Sequence, residues 1–562
     1  MEPRAATGRG AWTDGPALGL VLAAALAYGG ANHYRLAHFY PLEWDLAIFS
    51  QGLHALSRLQ TPFVTVRGLH LFGDHATFVH VLLVPLEDLL GPHLGPHLLP
   101  LVQTLALAAS AVLLYGLARE VLPPAEARLV LAAYLLYPAL QHAWLEYYEP
   151  VNLAIPCLIG AYGAIRGSRD GRALAWSLLA LVTVENVALS VAALGVYAAA
   201  RRRLRLGASL VIGASVYVAV LMHAVFPAFA PGGYVYADRL YGDFAPDLTR
   251  AVLHLARPDH LAARLVTPEN GLYLAGLLVP VAFLPLVAPG VLLLAVQLPL
   301  NMVSSWPYAR EIQYHYVAPI VPFVFLALVR VFERAAAPRH RRAALAALAA
   351  GVLAGQVWLA SPWLIPRPGR SWWRGLAADA VERRDVSALL ARIPATASVS
   401  AHYRFLPHLA RRARLHMFPE LGSGLPDVVL VDLDRAEADE KERPVLARLG
   451  ASCVEVARTP RRTVLLACPA SSGGGLAPTG GGGSTSPPPR ASPTALGRSM
   501  IRARRSPMKP VLENLVGRRS FFRSAGMAAA GAGAFGLATE RDAEAALQNV
   551  NTRSKPSDLK IT

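Results

Sequence analysis

Trp44-Asp45-Leu46-Ala47-Ile48-Phe49-Ser50-Gln51 stands just after the first apolar run of the chain, 16–30. Asp45 is an acid in apolar company, at the point where a chain that has crossed a bilayer leaves it. A carboxylate held against a membrane surface is costly unless water or a partner charge compensates it, so the position asks for a use. Local chemistry leaves two: a solvated loop acid or cap at a helix start, or a base facing a lipid-linked substrate. Both presuppose the same architecture, a mainly α, polytopic transmembrane helical bundle with its first long loop outside the membrane.

Composition supports that architecture. Of 562 residues 54% are hydrophobic and 16% charged, with a mean hydropathy of +0.37, too apolar for a water-soluble chain of this length. A helix needs about 20 apolar residues to cross a hydrocarbon core. The net charge of +17 sits largely in short Arg clusters between the apolar runs, as in cytoplasmic loops, and argues against a nucleic-acid surface. Three cysteines exclude a disulfide-rich scaffold and a Cys-based zinc module.

The Arg clusters orient the chain. Arg4 and Arg9 keep the N-terminus cytoplasmic, so the chain exits near Asn32 into a first external loop, 32–92. The apolar run 76–90 is interrupted by Pro85, Glu87 and Asp88 and reads as an interfacial helix. Spans follow at 98–118, 127–143 and 151–165. The 28-residue run 173–200 ends in Arg201-Arg202-Arg203-Leu204-Arg205, and one crossing would put those arginines outside. Two short helices meeting at Glu185-Asn186, a re-entrant pair, return them to the cytoplasm. A span at 206–226 leads to a second external loop, 227–270, carrying Tyr234, Tyr236, Asp238, Arg239, Tyr241 and Asp243. Pro-punctuated stretches at 271–288 and 289–303 and spans at 317–332 and 343–360 complete a membrane domain over 1–365, roughly ten membrane segments in all.

Residues 370–470 change character. A helical pattern over 372–393 precedes short strand-like runs at 397–402, 415–418, 428–433, 452–456 and 463–468, with a helix near 437–449. This predicts a small external α/β domain ending in a hairpin around Thr459-Pro460. Cys453 and Cys468 fall on neighbouring strands, and a disulfide depends on whether they face each other. Residues 471–507 are a Gly/Ser/Pro linker. After Met508, the string Gly517-Arg518-Arg519-Ser520-Phe521-Phe522-Arg523 and a mild apolar run resemble a twin-arginine export signal, misplaced at 508–562 and read as a fusion or gene-model artefact.

Within this frame the chemistry-bearing residues are few. Asp45 and the neighbouring pair Asp74-His75 lie in the first loop, and a carboxylate beside an imidazole suits acid/base work or phosphate binding. Glu146 and Glu149 share a short turn with Tyr147 and Tyr148. Glu185, within the membrane, is a functional candidate because a buried unpaired carboxylate is expensive. Arg67, Arg239 and Arg310 are the external arginines whose forked donors match a phosphate, and His315 lies near the last of them. No metal site is expected: His70, His75 and His80 are spaced by five, and a divalent cation has no motif behind it. Phosphate loop, nucleophile elbow and nucleotide fingerprint are all missing from the sequence, so no cofactor is called for.

Several strings taken together resemble one family. They are Asp45-Leu46-Ala47-Ile48-Phe49-Ser50-Gln51, Gly73-Asp74-His75, Tyr137-Pro138-Ala139-Leu140-Gln141, Tyr314-His315-Tyr316-Val317-Ala318-Pro319-Ile320-Val321-Pro322-Phe323 and Ala397-Ser398-Val399-Ser400-Ala401. The resemblance is to the bacterial membrane proteins of domain of unknown function 2079, over about 15–470. The chain departs from that pattern where Glu149 replaces a His and where Val184-Glu185-Asn186 replaces Lys-Glu-Asp. In layout the family is similar to C-type glycosyltransferases, which take sugars from polyprenyl phosphates on the outer face of the membrane. That resemblance implies Asp45 as acceptor-activating base, Asp74 as a second acid, and external arginines on the lipid phosphate.

The expected protein is therefore a glycosyltransferase-like enzyme of the bacterial inner membrane, with polyprenyl-phosphate sugar and membrane lipid as partners and no nucleic acid. A transporter or flippase working through Glu185, and a non-catalytic assembly factor acting through 370–470, are the alternatives.

Overall fold

The computed structural model describes residues 13–40, 44–230, 232–244, 248–335, 337–359 and 376–469. The linker and the twin-arginine-like tail lie outside the described residues.

The first helix, α1 (Gly15–Ala37), starts where Asp14 accepts the Ala17 N–H at 3.0 Å and Pro16 stands in the first turn. Arg128 and the Tyr115 hydroxyl also reach Asp14, tying the cap to two other helices. Among the described residues three stretches are long and apolar enough to cross a bilayer: Gly15–Ala37, Val79–Arg119 and Leu204–Phe229. That is fewer than the ten segments read from hydropathy, and proline accounts for part of the difference. Pro138 divides the run 127–143 into Pro124–Leu135 and Pro138–Leu145. Pro280, Pro285, Pro289 and Pro299 punctuate 271–303, where Pro268–Leu278 and Gln297–Val303 are separated by short turns and by Ala282 and Phe283 in the left-handed region. The apolar run 76–90 forms the helix Val79–Leu94, which continues through one 3-10 turn into Leu98–Arg119. The run 173–200 is broken as expected: Asp170–Leu181 stops, Val187–Ala200 restarts, and Glu185 sits in the gap.

The first loop is built rather than slack. Helix α2 (Asp45–Ser57) buries Leu46, Ala47, Ile48, Phe49 and Leu53. Strands β1 (Phe63–Val64) and β2 (Leu69–His70) pair antiparallel around a turn in which Gly68 takes φ +73°.

The C-terminal unit carries a five-stranded sheet: β3 (Val399–Ala401), β4 (Leu415–Met417), β5 (Val428–Asp432), β6 (Val454–Arg458) and β7 (Thr463–Ala467), in the order β4-β3-β5-β7-β6. β3 runs parallel to β4 and β5, whereas β7 pairs antiparallel with β5 and with β6, and β6 and β7 form the predicted hairpin. Cys453 and Cys468 flank the paired ends of β6 and β7, with Cα atoms 4.2 Å apart, and are disulfide-bonded.

This unit shares a core with the first loop. Leu36, Phe39, Trp44, Ile48 and Phe49 belong to one buried cluster with Val399, Phe405, Leu406 and Leu430. Polar contacts follow the same seam. Gln51 Nε2 donates to Arg412 O at 3.0 Å, Thr65 Oγ1 donates to Leu415 O at 2.6 Å, and His408 Nε2 pairs with Leu36 O at 3.0 Å.

Candidate active site

A cavity of about 550 Å³ opens between the first loop, the Glu185 break and the segments 234–241 and 297–316. Asp45 reaches its wall from the first turn of α2, where the positive end of the helix dipole favours a carboxylate, and stays half-buried.

The β1–β2 turn delivers Arg67, which is 4% exposed. Its Nε lies 3.2 and 3.3 Å from the two Asp74 oxygens, and its guanidinium sits 5.7 Å from the Trp44 ring. Its Nη1 is buried and has no hydrogen-bond partner among the described residues. Asp74 also accepts the Tyr236 hydroxyl at 2.7 Å. Asp74 is thus occupied in holding Arg67 and Tyr236.

Its neighbour His75 turns to another carboxylate. His75 Nδ1 is 2.8 Å from Glu185 Oε1, which also accepts the Tyr234 hydroxyl at 3.2 Å, while Oε2 takes the Ala76 N–H at 3.1 Å. The His75 ring stacks on Tyr236 at 4.4 Å. Burial alone would hold the imidazole neutral. The Glu185 carboxylate, its hydrogen bond and then Asp74 outweigh that, so His75 titrates above its ordinary value.

These contacts depend on a close approach. A Cβ on Gly73 would fall 2.5 Å from Phe229 O, so only glycine lets the segment carrying Tyr234 and Tyr236 lie against Asp74 and His75.

A second carboxylate group lines the cavity. His315 Nδ1 lies 3.1 Å from Glu146 Oε1 and 3.5 Å from Glu149 Oε1, and the ligand-type atoms of the three all fall within 4.8 Å of one another. Two carboxylates and an imidazole suit a divalent cation. Local motifs could not reveal this grouping, because 146–149 and 315 meet only in the fold. An amide chain runs beside it: Asn186 Nδ2 donates to Gln297 Oε1 at 3.1 Å, Gln297 Nε2 to Asn301 Oδ1 at 2.7 Å, and Asn301 Nδ2 to Tyr316 O at 2.9 Å.

Of the sequence candidates, Asp45, Arg67, Asp74, His75, Glu149, Glu185, Arg239 and His315 all line this cavity. Arg239 does so with its guanidinium 4.0 Å from the Trp306 ring. Arg310 does not: it ends the 3-10 turn Pro307–Arg310, half-buried and outside the lining.

Residues 35–447 match the family described as "Predicted membrane protein (DUF2079)". The chain belongs to that family. All five strings quoted above lie inside the matched residues of this DUF2079 member. No curated protein matches it. Among solved structures it is similar to ArnT from Cupriavidus metallidurans bound to undecaprenyl phosphate, with a TM-score of 0.46 and 14% identity over 81% of this chain and 99% of that one. The apo form of the same protein matches with a TM-score of 0.45 and 14% identity, over 81% and 98%.

Sequence reading of the DUF2079 chain missed several lining residues. Arg35, at the end of α1, donates from Nη1 to Leu145 O at 2.8 Å and lies 4.5 Å from the Tyr147 ring. An arginine closing an apolar span was the signal available for it. His142, Gln297, Asn301 and Tyr403 gave none, and Asn186 was marked only as part of the helix break at Glu185.

Proposed function

We propose that this DUF2079 protein is a membrane glycosyltransferase that takes a sugar from a polyprenyl-phosphate carrier. One observation carries the reading: the acid- and arginine-lined cavity runs directly into apolar lining on a candidate membrane span. Val218 and Met222 belong to the span Leu204–Phe229, and Leu189 of the neighbouring apolar helix is 43% exposed. A charged head group and an isoprenoid tail thus meet walls of matching polarity in one continuous space.

In the proposed step an acceptor hydroxyl attacks the anomeric carbon and gives its proton to Asp45. The bond between that carbon and the phosphate oxygen breaks, and the oxygen keeps the electron pair. Arg67 and a protonated His75 stabilise the departing phosphate. Asp74, with three hydrogen bonds already made, aligns Arg67 instead of moving a proton. The cavity would face the outer side of the bacterial inner membrane, with the N-terminus cytoplasmic. Reporter fusions after Gly68 and Arg205 test that placement.

The test of the reaction uses full-length protein in lipid nanodiscs with radiolabelled polyprenyl-phosphate sugars. Asp45→Asn is expected to lower transfer by about 10²–10⁴, the usual worth of a positioned base, with an unchanged thermal midpoint. Full turnover by Asp45→Asn removes the base role. A transporter acting through Glu185 would instead show carrier movement without transfer.

A further inference from the structure

We infer that the C-terminal α/β unit forms part of the substrate site, with Tyr403 as a substrate-contact residue for the head group of the lipid-linked donor; this rests on the reading above. Tyr403 is the one residue of 376–469 in the described cavity lining. It belongs to the same buried cluster as Trp44, Phe49 and Tyr147, which line the cavity near Asp45.

The residues on either side of Tyr403 are clamped by buried charge. His402, 1% exposed, accepts the Asp432 N–H through Nδ1 at 2.9 Å, which leaves Nε2 to donate to Glu442 at 2.9 Å. Arg404 Nη2 donates to Asp432 Oδ1 at 2.7 Å and to Glu382 Oε1 at 2.9 Å. Glu442, fully buried, also takes Arg435 Nη2 at 3.2 Å, and the Arg435 guanidinium lies 4.8 Å from the Tyr403 ring. Buried ion pairs add little net stability over apolar packing of the same volume, so their use here is positional. They close a frame around the turn Tyr403–Phe405, which follows the C-terminal end of β3 beside the parallel strand β5, the edge where α/β sheets present ligands. A rigid frame spent on the single side chain that reaches the cavity marks that side chain as a contact group.

The experiment uses full-length protein in nanodiscs and undecaprenyl phosphate as the probe, with binding followed by the fluorescence of the cavity tryptophans. Tyr403→Ala is expected to raise Kd about tenfold, Tyr403→Phe to restore most of the loss by returning the ring, and Arg435→Gln to raise Kd several-fold. Tyr403→Phe should keep the wild-type thermal midpoint, whereas Tyr403→Ala and Arg435→Gln lower it by opening the core and unpairing Glu442, so binding is compared at a temperature where every variant is folded. A photo-crosslinking amino acid in place of Tyr403 should label the radiolabelled probe, and the same group in place of Arg458 should not; this readout holds even where Tyr403→Ala folds poorly. If wild type binds and Tyr403→Ala binds equally, or position 403 gives no label, the inference fails while the donor reading stands. If wild type binds no undecaprenyl phosphate, the donor reading fails and takes this inference with it.

Discussion

Glu185 receives His75 Nδ1, the Tyr234 hydroxyl and the Ala76 N–H, three donors on one carboxylate that the sequence places within an apolar run. Satisfaction of this kind makes the acid an anchor for the imidazole, and the direction of the His75 shift follows from it. His75 faces Glu185 and Asp74, which favour its proton, Arg67, which opposes it, and the hydroxyl-bearing ring of Tyr236. If protonated His75 holds the phosphate, binding is full at about pH 5, above the acid loss of the sheet unit, and is lost as pH rises through its elevated pKa. Glu185→Gln removes the largest favourable charge, so that loss should move to lower pH. The check is the affinity for undecaprenyl phosphate measured between about pH 5 and 9, a window that brackets the histidine range. An unmoved profile would show that His75 does not hold the phosphate. At this scale much of the site was legible: Asp45, Asp74, His75 and Glu185 are acids or an imidazole in apolar surroundings, and such groups need a reason. Their pairing was not legible, because His75 and Glu185 are 110 residues apart.

At the scale of elements, the segment through Phe229 to Tyr236 lies across the first loop only because Gly73 has no side chain. Gly73→Ala places a Cβ against the Phe229 carbonyl, a backbone atom that cannot rotate away. The variant is expected to lose about 1–3 kcal/mol, the usual cost of overpacking. It should also lose donor binding, because Tyr234 and Tyr236 retreat with the segment. Thermal unfolding together with the undecaprenyl-phosphate titration checks both. Breaks were readable in part, through the gap at Glu185, whereas the division of 127–143 at Pro138 was not read. The extent of breakage over 271–303 was not, because hydropathy averages over prolines that each remove a backbone donor.

At the scale of the whole molecule, one apolar cluster runs from the end of α1 through α2 into the sheet unit, so loss of one part uncovers the other. The sheet unit carries an acid-sensitive frame. Burial would raise Asp432, but Arg404 and then His402 hold it well below the ordinary carboxylate range, and Glu442 is lowered by His402 and Arg435 against the same burial. Depressed carboxylates contribute stability that is complete above their unfolded pKa and is lost as pH falls through the folded value. The chain should therefore keep its thermal midpoint down to about pH 4, where unfolded carboxylates begin to titrate, and lose it below. Glu442→Gln should lower the midpoint at neutral pH and flatten its acid dependence. Binding in the cavity should fail over the same range, because Tyr403 and the wall near Asp45 rest on this core. Replacing Cys453 and Cys468 by serine tests the unit independently. A disulfide closing a loop of sequence separation 15 is worth about 3 kcal/mol, and a smaller loss would mean that the β6–β7 pairing suffices alone.

Sequence alone determined the membrane class, the family, the five-strand unit with its terminal hairpin, and the residue types that gather at the cavity. These follow from local properties: hydropathy over windows, period-two runs, turn residues, and acids where acids are costly. Tertiary structure decided the rest. It turned Asp74 into the holder of Arg67, joined His75 to Glu185, and brought Glu146 and Glu149 to His315. It left Arg310 off the cavity wall and carried Tyr403 from the sheet unit onto it. His75 meets Glu185 across 110 residues and Glu146 meets His315 across 169, and even Arg67 and Asp74, seven residues apart, are joined by the turn between them, so packing and not spacing along the chain sets these contacts.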